Sequence, residues 1–507
     1  GASASSSARG EPAGSGAAQT GAASPDDEVA RRRSFIGRSL APITVNGIRH
    51  ATLTLASTAL GGGVLSVSYV LKLQGLFLGL LLLLLGGILA FVSTNELMRM
   101  TAETGNNTYA GLFSHCAGRR AGPVLDFLLL LFGIGVCVGY NVFLGDFIPP
   151  LVRLIKPDAP AWVASRELAI CGSSLLVLPL ALQKDLSALR FVAPISILAL
   201  LYMAFIVTIK APLLYKEHLD NLDVYGNVIF ATPSLDTCEA FALCVFAFNC
   251  HLNVVPVAGS MLRPTKARIL KVSARVNALQ LGFYALIGVS GYLSFLEQTP
   301  QDIILGYNAT DLAVAVGRLL LTFTIFVAIP TNLNPTIRSG MALVAHWKHV
   351  PPATSPRVAP QAAPPFGAME PFPFTLEEAE EEPAVMMARP LAQEREDGMP
   401  PLRLEQAPAA QYEPSATFRS AFTTVLVVMQ AGLAVIVPGV ADVLSILGAT
   451  VATAMMLTIP AYAMGIVLNR TPKRRAMQVV LYLFSIVSAA SVPVKLLRAA
   501  GLLPKSA

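Results

Sequence analysis

The chain has 507 residues, of which 54% are hydrophobic and 13% charged, and its mean hydropathy is +0.60. A water-soluble globular domain carries nearer a quarter charged residues, so this composition excludes one and places most of the chain in lipid. The net charge of +6 would suit a polyanion, but the basic residues sit in short loops between apolar stretches, where they orient a membrane protein, and nucleic acid is not an expected partner.

In chain order, residues 1–48 open with a stretch rich in Ser, Ala and Gly, continue through Arg31-Arg32-Arg33, and read as a disordered cytoplasmic arm. Their polar character argues against a cleaved signal peptide. Eleven apolar runs long enough to cross a bilayer follow, near 51–71, 75–98, 123–147, 167–183, 191–212, 239–262, 276–297, 311–334, 419–437, 443–468 and 476–499. They form two membrane blocks, 49–349 with eight spans and 417–507 with three and a short tail. Between the blocks, residues 350–416 mix Pro, Ala and Glu around the acidic run Glu377-Glu378-Ala379-Glu380-Glu381-Glu382, a composition suited to a disordered cytoplasmic linker.

With the N-terminus cytoplasmic, most Lys and Arg fall in the cytoplasmic loops, as the positive-inside rule requires. The sequon Asn308-Ala309-Thr310 then lies outside and Asn106-Asn107-Thr108 inside. The six cysteines show no close CxxC pair and read as small buried hydrophobes, so no metal or cofactor is expected.

Two of the spans are interrupted at their midpoints. Gly61-Gly62-Gly63 breaks the first, and Asn249-Cys250-His251-Leu252-Asn253 breaks the sixth, with Pro256 restarting the helix. Lipid gives a free backbone group no partner, so such breaks survive only beside a protein-enclosed cavity. Broken helices at matching places in two halves point to a transporter site near the bilayer midplane. Five spans precede the sixth, so the halves begin on opposite sides and form a five-plus-five inverted repeat.

The amides opening the second half of span 1, with its positive dipole end, suit a carboxylate; the alternative is that the triglycine only lets helices pack closely. In span 6, unwound carbonyls and side-chain amides suit an ammonium group. His251 is either a proton-sensitive gate or a neutral imidazole bonded to carbonyls of the broken helix. Arg318 either meets an anion or gates the outer vestibule, or snorkels to the interface. Asp236 and Glu239 either attract cationic substrates or are solvated end residues.

Gly61-Gly62-Gly63-Val64-Leu65-Ser66-Val67-Ser68-Tyr69, followed by Lys72 and Gly75, resembles the first-span signature of the amino acid/auxin permease family, its neutral amino acid transporter branch above all. The run Cys137 to Asp146 is similar to that family's third span, Phe246-Ala247-Phe248-Asn249-Cys250-His251 with Val255-Pro256 to its sixth, and Val437-Pro438 through Ser445–Thr450 to Pro460 to its ninth and tenth. The resemblance covers roughly 45–345 and 418–498. It implies an all-α polytopic protein with the leucine-transporter-like fold that carries amino acids, coupled to a proton or sodium, or uncoupled. Carried over by position, Gly61, Gly62, Gly63, Val64 and Leu65 hold the carboxylate; Phe246, Asn249 and Cys250 face the substrate; Tyr140 or Asn141 completes the wall.

Sodium-coupled members resemble one another in an Asn in span 1 and a hydroxyl shortly before the proline of span 8. Here those places hold Ser57, and Phe326 or Ala328 ahead of Pro330, with Thr322 and Thr324 a turn or more away. A hard cation needs several oxygens, so proton-coupled or uncoupled transport is expected over sodium symport. An amino acid sensor with little flux is the expectation from another class; no arrangement suited to an enzyme or a channel filter is evident. The membrane is either the plasma membrane or that of an acidic organelle.

Overall fold

The computed structural model describes residues 46–118, 121–183, 193–347 and 415–503. The arm before Asn46 and nearly all of the 350–416 linker lie outside the described residues, whose regular structure is all helical, with no strand.

Among the described residues, nine helices are long and apolar enough to cross a membrane, and ten if the bent pair Ile48–Ala59 and Gly62–Gln74 counts as one span. The fourth predicted span forms Arg166–Leu182, which at 17 residues falls just short of that length. We number the spans from the bent pair as 1 and Arg166–Leu182 as 4. Spans 2, 3 and 5 are Leu76–Thr104, Ala121–Ile155 and Ala193–Leu219. Spans 6 to 8 occupy Asp236–Ser260, Lys266–Phe295 and Leu312–Trp347; spans 9 to 11 occupy Ala416–Ile436, Val440–Val467 and Pro472–Ala499. Most run several residues beyond their sequence-derived ends. The short helix Tyr109–Ala117 between spans 2 and 3 was not anticipated; Thr108 caps it, accepting from the Gly111 amide.

Both expected interruptions are present. Span 1 stops at Ala59, passes through Leu60 and Gly61, tightens into a 3-10 turn over Gly62–Ser66 and resumes as α-helix at Val67, the two parts bent by 54°. Span 6 stops at Ala247 and resumes at His251, so the break covers Phe248-Asn249-Cys250. This corrects the sequence reading: His251, Leu252 and Asn253 belong to the second half-helix, and Pro256 lies inside it. At the restart, the Asn249 carboxamide oxygen accepts from the His251 amide at 3.3 Å, giving the first free donor of the second half-helix a partner.

Burial explains the arrangement. Spans 6 and 10 are the most enclosed, while spans 5, 9 and 11 present leucines, valines and isoleucines outward, as helices facing hydrocarbon do. Span 10 is underwound into π-helical turns across Gly448–Ala452 and Ala454–Thr458, a feature often found at working parts of helices. At Gly448 it approaches span 6 so closely that a Cβ would meet the Ala242 carbonyl.

Candidate functional site

The breaks of spans 1 and 6 face each other. A Cβ on Gly63 would lie 3.1 Å from Ala247 Cα and 3.3 Å from Phe246 Cδ1; one on Gly62, 3.1 Å from Phe143 Cε2 and 3.7 Å from Tyr140 Cε1. Beside Gly61 nothing stands within 4 Å. Gly61, Gly62, Gly63, Tyr140, Phe246 and Asn249 are all half-buried at mid-helix, so the open space beside Gly61 is a hollow at the junction of spans 1, 3 and 6. Phe132 closes one side, its ring centroid 6.3 Å from that of Phe246.

The polarity of this hollow follows from helix ends. The first hydrogen bond of the second half of span 1 runs from the Val64 amide to the Gly61 carbonyl at 3.2 Å. The amides of Gly61 to Gly63 precede it and carry the positive end of the half-helix. Next to it, the first half of span 6 ends in carbonyls at Phe246 and Ala247, which accept from the Asn249 amide at 3.1 Å and the Tyr284 hydroxyl at 2.8 Å. A positive helix start and a negative helix end therefore lie side by side.

Not every expected residue joins this wall. Val64, Leu65 and Cys250 are buried in the core. Asn141 turns away: its Nδ2 donates to the Cys137 carbonyl at 2.9 Å and its Oδ1 accepts from Ser174 of span 4 at 2.9 Å, leaving Tyr140 as the residue that flanks Gly62. The His251 imidazole is fully buried, but its partner is not the backbone carbonyl expected: Nδ1 meets Asn249 Oδ1 at 3.3 Å, and Nε2 has no partner. Ser57 and Thr322 spend their hydroxyls on their own helices, on the Thr54 and Arg318 carbonyls at 2.9 and 2.7 Å, while Thr324 Oγ1 is buried without a partner.

Arg318 does not snorkel. It is 2% exposed and donates to the carbonyls of Ile304 and Tyr307 at 2.9 and 2.8 Å, pinning the short 3-10 turn between spans 7 and 8. The Ile304 carbonyl also accepts from the Tyr307 amide at 3.3 Å, so the guanidinium takes up its second lone pair. Asp302, at the start of the same turn, accepts from the Ile304 amide at 3.0 Å, and burial pushes its carboxyl well above the usual carboxylate range.

Asp236 and Glu239 are not solvated either. Glu239 lies 2.8 Å from Lys495 of span 11, which also lies 2.8 Å from Asp442 of span 10, and Asp236 pairs with Arg498. Gln301 extends this network, reaching Asp442 Oδ2 at 3.3 Å and the Ala441 amide at 3.1 Å. At the opposite end of the bundle, Glu96 meets Arg99 and Arg474, and the Leu262 amide donates to the Asn46 carbonyl at 3.0 Å, tying the end of span 6 to the start of span 1. A lysine inside span 11 was a legible signal, since intramembrane charges are functional by default. Its partners on spans 6 and 10 were not.

A second space, a cavity of about 460 Å³ beside Leu76, Tyr215, Phe230 and Leu293, lies at the ends of spans 5 and 7. Its lining is mostly apolar and it touches neither break, so it lacks the convergent polar groups a substrate site needs.

The chain is 33% identical to "Putative amino acid transporter AAT1" of Toxoplasma gondii over 326 residues, 64% of this chain and 44% of that protein. It is 23% identical to vacuolar amino acid transporter 2 of Saccharomyces cerevisiae, over 57% of this chain and 60% of that one. It is 25% identical to sodium-coupled neutral amino acid transporter 7 of Danio rerio, over 55% and 61%. The chain thus spans about half the length of the curated relatives it matches. The family model described as transmembrane amino acid transporter protein matches residues 44–497. That range holds both broken spans and every residue around the hollow, and the chain belongs to this family.

Proposed function

We propose that this chain moves amino acids, neutral ones above all, across a bilayer by alternating access, and performs transport rather than catalysis. The observation that carries the reading is the pairing of the two breaks: the amides that open the second half of span 1 at Gly62-Gly63 pack against the end of the first half of span 6 at Phe246-Ala247, with open space beside Gly61. Spans 1 and 6 would rock against their neighbours to expose this hollow to each side in turn. Neutral substrates are favoured over cationic ones because Asp236 and Glu239 already have their charges matched by Arg498 and Lys495.

Proton-coupled or uncoupled transport fits better than sodium symport. Phe326 and Ala328 supply no side-chain oxygen at the place where the resemblance expects a hydroxyl ahead of Pro330. A sodium-coupled protein stands among the relatives, so the coupling is tested directly. Reconstituted protein should take up radiolabelled neutral amino acids, with a rate indifferent to sodium. A dependence on inward proton gradient would assign the proton, whose movement supplies about 2.3 kcal/mol per 100 mV. Binding without flux would instead favour an amino acid sensor.

We place the N-terminus in the cytoplasm, so that the Lys495 end of the bundle faces outward or into the lumen. The yeast relative's name favours an acidic organelle over the plasma membrane. Asn308 tests the orientation. It is exposed, and its Oδ1 accepts from both the Thr310 amide and the Thr310 hydroxyl at 3.0 Å. Expressed in a glycosylating eukaryotic host, the protein should lose an endoglycosidase-sensitive gel shift in Asn308→Gln and keep it in Asn106→Gln. The reverse pattern would invert the topology.

A further inference from the structure

The two first half-helices, Ile48–Ala59 of span 1 and Asp236–Ala247 of span 6, both end at the breaks with their carbonyls forward. Two negative dipole ends converge there, an environment suited to a small cation. What stands at the convergence is a side chain from span 7. The Tyr284 hydroxyl lies 2.8 Å from the Ala59 carbonyl and 2.8 Å from the Ala247 carbonyl. Its one proton is shared between two acceptors drawn from different broken helices.

The surroundings fix this hydroxyl. Tyr284 is fully buried, and Phe248 of the span 6 break lies edge-on to it with centroids 5.1 Å apart. Phe248 in turn sits in a notch made by Gly86 and Gly87 of span 2, whose absent side chains leave it room. One helical turn before Tyr284, on the same face of span 7, the fully buried Gln280 carboxamide lies against the Tyr284 hydroxyl. Its oxygen is a third potential ligand.

We propose that Tyr284 is a positioning residue of the transport cycle: its hydroxyl takes the place of an alkali cation, tying the first halves of spans 1 and 6 together without a metal ion. With oxygens 2.8 Å apart there is no room for an ion between hydroxyl and carbonyls, so the protein holds its broken helices by a neutral donor. This rests on the transport reading above and explains why such transport would be indifferent to sodium.

Tyr284→Phe keeps the ring and its contact with Phe248 but removes the donor, leaving Ala59 O, Ala247 O and Gln280 Oε1 around a gap. In proteoliposomes containing only choline salts, the variant should take up a neutral amino acid at least about tenfold more slowly than wild type, the equivalent of one lost hydrogen bond to each of two orphaned carbonyls. Sodium or lithium, but not choline, should restore a substantial part of the rate and raise the variant's melting temperature in detergent, while leaving wild type unmoved. A merely structural tyrosine would give a cation-independent loss, which overturns the proposal; so does a variant that transports normally in choline. If wild type shows no uptake, the transport reading fails, and the cation-specific thermal shift of the variant still decides the role of Tyr284. If wild-type uptake itself needs sodium, the uncoupled reading fails, and an added cation response in the variant remains the test.

Discussion

Replacing Gly61 with leucine should abolish uptake while leaving the protein folded and inserted. No atom lies within 4 Å of where the side chain would start, so the leucine meets open space rather than protein. The backbone at Gly61 is extended, with φ −123° and ψ −164°, a conformation any residue adopts. The new side chain therefore occupies the hollow and competes with substrate without straining the break. Uptake should fall by well over about tenfold, the outcome of blocking a site by more than about 1.4 kcal/mol, with an unchanged melting temperature.

Gly63 should behave differently, and the contrast is the informative part. A Cβ there meets the Ala247 backbone at 3.1 Å, where nothing flexible can give way. Gly63→Val should lose both uptake and stability, by about 1–3 kcal/mol as overpacked interiors do. If Gly61→Leu transports like wild type, the hollow is not the substrate path. Equal thermal losses in both variants would mean that the triglycine serves packing alone.

How much of this was legible in the sequence differs by residue. The breaks themselves were readable because lipid punishes unpaired backbone so severely that Gly61-Gly62-Gly63 and a polar run inside an apolar span admit few explanations. Most of the spans were readable for the same reason, although the expected eleven become nine or ten among the described residues, because the fourth segment forms a helix of only 17 residues. The limits of the second break were misread, since Asn249 accepts from the His251 amide and His251 joins the helix, a local hydrogen bond that hydropathy does not register. Asn141 was readable as polar at mid-span but not as facing Ser174 of span 4, because direction around a helix depends on which neighbour packs there. Tyr284 carried no signal. A tyrosine in an apolar span looks like any core aromatic until its hydroxyl is placed between carbonyls from residues 59 and 247.

The charged cluster on span 11 should prove nearly as sensitive as the hollow. Lys495 sits between Glu239 of span 6 and Asp442 of span 10, with only 17% of its side chain exposed. Removing one partner from a mostly buried pair leaves charge stranded, at a cost of about 3 kcal/mol. That cost falls on the end of the bundle where the first half of span 6 is held against spans 10 and 11. About 3 kcal/mol shifts a two-state balance by roughly two orders of magnitude, enough to trap the transporter open to one side. Lys495→Met should therefore lose most of its uptake and several degrees of melting temperature. Adding Glu239→Gln removes the stranded carboxylate and should recover part of both, whereas Glu239→Gln alone should also be impaired, because it leaves Lys495 short of a partner. High salt should not imitate the single variant, since ions screen buried pairs weakly. If the double variant is worse than Lys495→Met by the full effect of Glu239→Gln alone, the two residues act independently. The cluster would then be a set of end charges rather than a latch on span 6.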